Sequence, residues 1–131
     1  MKILVLGARL IMGLVFLIFG LNHIWAFIPH MPTPTGDAAV MGTLMFVHGW
    51  FRVYGAAEAA CGLLLIGGRF VPLALTILAG IGLNILLYGL TLDSNGLYLP
   101  LFLAILEVIL VYAYRESFRG VFDPKAEPHW K

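Results

Sequence analysis

The stretch ILVLGARLIMGLVFLIFGLNHIWAFI, residues 3–28, decides the fold of this chain. It exceeds the ~20 apolar residues that an α-helix needs to cross the hydrocarbon core of a bilayer. A cleaved signal peptide is the alternative for residues 1–26, because Lys2 precedes a long apolar run. The run is long and no clear small-x-small cleavage site follows it, so we predict a permanent transmembrane helix.

Three further apolar segments follow, separated by turn and proline signals. Each is long enough to cross a bilayer. We therefore predict an all-α protein, an integral membrane four-helix bundle of up-down-up-down topology that forms one domain over residues 1–131. The predicted helices cover about 3–28, 43–66, 71–92 and 97–115, followed by a flexible tail at 116–131. A polar, proline-rich connection is expected at 30–42.

The composition supports this class. Hydrophobic residues make up 61% of the chain and charged residues 11%, whereas an ordinary soluble domain carries about 25% charged residues. The mean hydropathy is +0.96. A net charge of +1 gives no indication of a nucleic-acid partner. Cys61 is the only cysteine, which excludes an intramolecular disulfide and a CxxC redox pair.

The basic residues predict the orientation in the membrane. The first and third connections contain no Lys or Arg, and the basic residues fall on the other side. Cytoplasmic loops carry the excess of Lys and Arg in membrane proteins. We therefore expect a multi-pass protein of a bacterial-type inner membrane, with both termini cytoplasmic. The residues that set this orientation are Lys2, Arg9, Arg69, Arg115, Arg119, Lys125 and Lys131.

Ionisable residues lie inside the apolar segments, where hydrocarbon cannot solvate a charge. Depth can be estimated at about 1.5 Å per helical residue. By this estimate Arg52 and Glu107 meet near mid-membrane, which predicts an ion pair. Arg9 and Glu58 fall in the inner third and form a second candidate pair with a structural role, although Arg9 could also reach the cytoplasmic interface.

Further polar residues fall at matched depths toward the outer side. They predict an outward-facing polar pocket that binds a small hydrophobic or quinone-like molecule. Histidine and tyrosine can hydrogen-bond the carbonyls of a quinone ring, while apolar walls accept its tail. In this hypothesis Arg52 is the electrostatic anchor and Glu107 its counter-ion and proton carrier, and both are candidate catalytic residues together with His23. The predicted lining consists of His23, His48, Arg52, Asn84, Tyr88 and Glu107.

Other interpretations of the same residues remain open. His23 and His48 could ligate a haem iron or a metal. Arg52, one turn below His48, argues against a bare cation at this place. A quinone is therefore favoured over haem, and no metal is expected. The polar groups could also serve only to neutralise one another and set helix register. Small residues such as Gly13, Gly20 and those at 79–82 would allow close helix packing.

Three groups of residues carry a family resemblance: Ala8-Arg9-Leu10-Ile11-Met12-Gly13-Leu14-Val15-Phe16 with Gly20-Leu21-Asn22-His23, then Glu58 with Gly62 and Gly67-Gly68-Arg69, and the last helix with Glu107. In these features the chain resembles the DoxX-like family of small four-helix membrane proteins. The resemblance implies Arg9 and Glu58 as characteristic positions. It also implies quinone-coupled oxidation, since the family is named for a thiosulfate:quinone oxidoreductase subunit.

Two classes of function follow. The first is a quinone-linked redox subunit. Because the chain has no dithiol, a bound quinone, a haem or a protein partner in a redox complex would have to carry the electrons. The second is non-enzymatic: a transporter of small molecules or lipids, or a membrane assembly scaffold, with residues 30–42 as partner surface or lid. Membrane lipids are partners in both, and lipid-facing glycines would suit a homo-oligomer.

Overall fold

The computed structural model describes residues 1–129, in which the regular secondary structure is helical and no strand is present. This confirms the predicted all-α class. Two short 3-10 helices, Ser94–Gly96 and Arg115–Phe118, flank the last α-helix. The five α-helices are α1 (Lys2–Trp25), α2 (Gly36–Val47), α3 (Trp50–Gly67), α4 (Val71–Thr91) and α5 (Tyr98–Ala113).

Two of these helices, α1 and α4, are long and apolar enough to cross a membrane. The helices α2 and α5 are apolar but shorter, and α3 contains Arg52 and Glu58 within its 18 residues. These two apolar helices are the structural evidence for a membrane protein.

The prediction of a single helix over 43–66 is wrong. This segment is divided into α2 and α3 by His48 and Gly49, and Gly49 has a left-handed backbone with φ 78°. A right-handed helix cannot continue through that conformation, which glycine adopts more readily than other residues. The prediction of a polar connection at 30–42 is also wrong from Gly36 onward, because α2 begins there.

Four helices pack in a closed ring in chain order. The helix α1 packs most extensively on α3, α4 packs on α3 and α5, and α5 returns to α1. The helix α2 stands apart from this ring and contacts chiefly α3. All four ring helices contribute to the interior, whose largest fully buried side chains are Met12, Leu65, Leu75, Leu78 and Leu110.

Glycines bring the backbones of α1 and α3 into contact at two levels. At one level, a Cβ atom on Gly62 would lie 2.6 Å from the carbonyl oxygen of Gly13. At the other, a Cβ on Gly20 would lie 2.7 Å from the carbonyl oxygen of Gly55. No side chain fits at either crossing, which confirms the packing role predicted for Gly13 and Gly20. The same prediction is wrong for Gly80 and Gly82 of α4, which have no heavy atom within 4 Å of such a Cβ.

Candidate functional site

A large cavity lies at the end of the ring where α1 and α4 end and α3 and α5 begin. Its volume is about 1080 Å³, which is enough for a drug-sized ligand. All five α-helices and the loop at 26–35 contribute to its wall. Most of the wall is apolar, and its aromatic side chains are Phe16, Phe19, Trp50, Phe51, Tyr54 and Tyr88.

A partly buried polar pair lies in this wall. The Nδ1 atom of His23 and the Oε2 atom of Glu58 are 2.8 Å apart, and both residues line the cavity. The imidazole ring stacks on Phe51 with a centroid distance of 5.3 Å. Since Glu58 occupies Nδ1, the Nε2 atom of His23 is left to hydrogen-bond a ligand.

The glycine crossing between α1 and α3 explains why this pair forms. A Cβ atom on Gly55 would lie 2.9 Å from the Cβ of His23, and one on Gly20 would lie 3.0 Å from the Cβ of Glu58. Each polar side chain therefore starts beside a glycine of the opposite helix. The absence of side chains at these glycines lets the two helices approach closely enough for a direct hydrogen bond.

Four of the six residues predicted to line the pocket do line this cavity: His23, His48, Asn84 and Tyr88. The amide nitrogen of Asn84 donates to the carbonyl oxygen of Gly80, 3.1 Å away on the same helix. Its amide oxygen can therefore accept from a ligand. His48 follows the last residue of α2 and is exposed, so its ring lies at the rim of the cavity.

Arg52 does not line the cavity, and its predicted ion pair with Glu107 is wrong. The two salt bridges within residues 1–129 join His23 to Glu58 and Arg119 to Glu116. Arg52 is exposed in the first turn of α3. The predicted depth assumed one continuous helix over 43–66, whereas the break at Gly49 moves Arg52 to a helix end.

Glu107 lines a different, small cavity of about 200 Å³. Both of its carboxyl oxygens are buried, and neither has a hydrogen-bond partner among the described residues. Glu107 is therefore absent from the predicted pocket and forms a separate feature of the interior.

The predicted ion pair between Arg9 and Glu58 is wrong as well. The Nη1 atom of Arg9 lies 3.4 Å from the hydroxyl oxygen of Tyr114. Its guanidinium also lies beside Gly68, at the C-terminal end of α3, where a helix dipole favours a cation. Arg9 thus extends toward the end of the bundle, while Glu58 pairs with His23.

Two acidic residues of the cavity were not predicted from the sequence. Asp37 lies in the first turn of α2, and Asp93 accepts a hydrogen bond from the backbone of Asn95 at 3.2 Å. Both line the cavity, and no Lys or Arg within residues 1–129 does. A sequence signal could have identified both residues, because Asp37 and Asp93 lie in the two connections that contain no Lys or Arg.

Asn22 fixes the loop that follows α1. Its Oδ1 atom accepts a hydrogen bond of 2.8 Å from the backbone nitrogen of Ile28, and its Nδ2 lies 3.2 Å from the sulfur of Met31. Met31, Pro32 and Pro34 of this loop line the cavity. The buried amide therefore holds part of the cavity wall in place.

Within residues 1–129, no three His, Cys, Asp or Glu side chains cluster closely enough to hold a metal ion. No family model, curated protein or solved structure matches the chain. The resemblance to the DoxX-like family remains an expectation from the sequence.

Proposed function

We propose that this chain is an integral membrane protein that binds a small hydrophobic, quinone-like molecule in its large cavity as part of a membrane redox system. One observation carries the proposal: the partly buried His23–Glu58 pair lies in the wall of a large and mainly apolar cavity. Such a cavity accepts an apolar body and offers a few convergent polar groups that orient it.

The surface of the ring supports a membrane location. Val53 on α3, Leu83 on α4 and Val108 on α5 are 72%, 67% and 68% exposed. Apolar exposure of this kind on helix after helix is a liability in water and is expected where lipid covers the protein. In this proposal α1, α3, α4 and α5 form a transmembrane four-helix bundle of up-down-up-down topology, and α2 lies at its outer end.

The charges support an orientation. Arg69, Arg115 and Arg119 lie at the end of the ring where α1 begins, whereas Asp37 and Asp93 lie at the opposite end beside the large cavity. Because basic residues favour the cytoplasmic side, the proposal places both termini in the cytoplasm. The large cavity then opens on the outer side of a bacterial-type inner membrane.

The polar atoms of the cavity fit a quinone ring. His23 and Tyr88 lie on different helices of the cavity wall, and Phe51 offers an aromatic face. Tyr88 can donate a hydrogen bond to a carbonyl oxygen, and Nε2 of His23 can do so in the imidazolium form, because Nδ1 donates to the Glu58 carboxylate. A bound quinone would supply reversible electron and proton transfer. The His23–Glu58 pair can hold a proton next to that ring, and a partner protein of the redox complex would supply the electrons.

A second candidate function is a non-enzymatic transporter of small hydrophobic molecules. One observation favours it: Asp37, Glu58 and Asp93 line the cavity without any Lys or Arg among the lining residues. Such a lining attracts a lipophilic cation at least as well as a neutral quinone. The two functions share the cavity and differ in the charge of the ligand.

A binding titration in lipid nanodiscs tests the proposal. A short-tailed ubiquinone analogue is added while tryptophan fluorescence is recorded, and saturable quenching is expected because Trp50 lines the cavity. Tyr88→Phe should weaken binding about tenfold, the effect of losing one good hydrogen bond. Tyr98→Phe is the matched control, since Tyr98 is exposed and lies outside the cavity.

Two results would count against the quinone proposal. They are non-saturable quenching and equal affinities of the Tyr88→Phe and Tyr98→Phe variants. Saturable uptake of a lipophilic cation into proteoliposomes without any quinone binding would instead establish the transporter.

A further inference from the structure

Glu107 is a buried titratable group that the large cavity does not use. It lies within α5, and its carboxyl oxygens are buried without a hydrogen-bond partner among residues 1–129. It lines the small cavity between α1, α4 and α5, where every other lining residue is apolar or glycine. Buried polar groups are nearly always hydrogen-bonded, so an exception of this kind calls for a functional explanation.

No described cation neutralises this carboxyl group. On α1, Met12 and Phe16 line the small cavity, and Arg9, one turn before Met12, contacts Tyr114 instead. All α4 residues in the lining are apolar or glycine. The buried titratable groups of α3 are Glu58 and Cys61, and neither can carry a positive charge. Glu58 itself is engaged by His23.

The lining restricts the ligand that Glu107 can bind. Hard metal cations need several oxygen ligands, six to eight for calcium. Among the described residues that line the small cavity, only Glu107 has a side-chain oxygen. A proton needs a single carboxyl oxygen. The small volume and the apolar walls exclude larger polar ligands as well.

We propose that Glu107 is a proton-binding site inside the membrane domain, separate from the His23–Glu58 pair. Within this proposal the site exchanges its proton with the large cavity, which adjoins the small one through four shared wall residues: Phe16, Ile85, Pro100 and Leu103. The carboxyl group gains or loses one proton, and water in the large cavity takes up or supplies it.

Infrared difference spectroscopy on the protein in nanodiscs tests this inference without any ligand. We expect a carbonyl stretching band of a neutral carboxylic acid that changes in intensity with pH and shifts in D₂O. The band should be lost in Glu107→Gln, which preserves the size of the side chain, and retained in Glu58→Gln. If Glu107→Gln does not fold, Glu107→Asp should move the frequency of the band.

Several results would overturn the inference. A band that persists in Glu107→Gln assigns the proton to another group, and the absence of any pH-dependent band shows that Glu107 does not exchange a proton. A band that fails to shift in D₂O shows that the site has no access to water. Displacement of the band by NaCl but not by choline chloride at constant pH identifies a sodium site instead.

Discussion

The Nδ1 atom of His23 lies 2.8 Å from the Oε2 atom of Glu58, and this contact joins the last turns of α1 to the middle of α3. The two partners differ in their environment. The Glu58 side chain is 3% exposed, whereas that of His23 is 32% exposed because its ring borders the large cavity. The loss of one partner therefore has different consequences for the other.

Removal of His23 should destabilise the protein more than neutralisation of Glu58. In His23→Ala, Glu58 stays buried without its partner, and the expected loss is about 3 kcal/mol in the free energy of unfolding. In Glu58→Gln, the partly exposed His23 can turn to the cavity, and the expected loss is about 1 kcal/mol. Unfolding in mixed micelles of mild detergent and SDS measures both values.

The double variant His23→Ala/Glu58→Ala provides the control. It should lose less stability than the two single alanine variants together, because the residues interact directly. Glu116→Ala breaks an exposed pair with Arg119 and should have no measurable effect. Additive losses, or a larger loss in Glu58→Gln than in His23→Ala, would contradict this account of the pair.

The glycine crossings of α1 and α3 make a second prediction. In Gly20→Ala, the new Cβ would lie 2.6 Å from the backbone nitrogen of Ala59, so the two helices must separate. We expect a loss of about 2 kcal/mol from overpacking and a weaker His23–Glu58 contact. Gly80→Ala is the matched control, because no heavy atom lies within 4 Å of its Cβ position. The same unfolding assay checks both variants, and equal stabilities would refute the backbone crossing.

The helices of the ring could be predicted from the sequence because hydropathy and turn residues mark their limits. The predicted limits of 71–92 and 97–115 differ by at most two residues from α4 and α5. The break at Gly49 could not be predicted in this way. The apolar run continues through residues 43–66, and hydropathy does not register a change of backbone angle.

The site was predictable in its location but not in its pairings. His23, His48, Asn84 and Tyr88 share the cavity because polar residues near the same ends of neighbouring helices meet there. Which residues pair depends on the rotation of each helix about its axis, and an estimate of depth from residue number does not include this rotation. Glu58 therefore pairs with His23 rather than with the cation predicted for it.

The break between α2 and α3 makes a third prediction. Gly49 has φ 78° and no heavy atom within 4 Å of its Cβ position, so a substitution there changes backbone strain without a clash. Gly49→Ala should lower the free energy of unfolding by about 1 kcal/mol. Gly49→Asn should cost less, because asparagine tolerates the left-handed region better. Identical losses in both variants would show that the left-handed backbone at Gly49 does not determine the effect.

In the proposed arrangement α5, the shortest helix of the ring, also crosses the membrane. Its 16 residues span about 24 Å at 1.5 Å per residue, less than the ~30 Å of a typical hydrocarbon core. Crossing then requires the bilayer to thin locally or the flanking turns to enter it. Exposed serines lie on each side of α5, Ser94 before it and Ser117 after it, and they form a matched pair for cysteine labelling.

In intact cells, a membrane-impermeant maleimide should label Ser94→Cys, because the proposal places the α4–α5 turn outside. Ser117→Cys should react only after the membrane is disrupted, since it lies among the basic residues that favour the cytoplasm. The native Cys61 is buried and supplies the unlabelled background. Reversed labelling would invert the proposed orientation and place the large cavity on the cytoplasmic side. Labelling of both serine positions in intact cells would show that α5 does not cross the membrane.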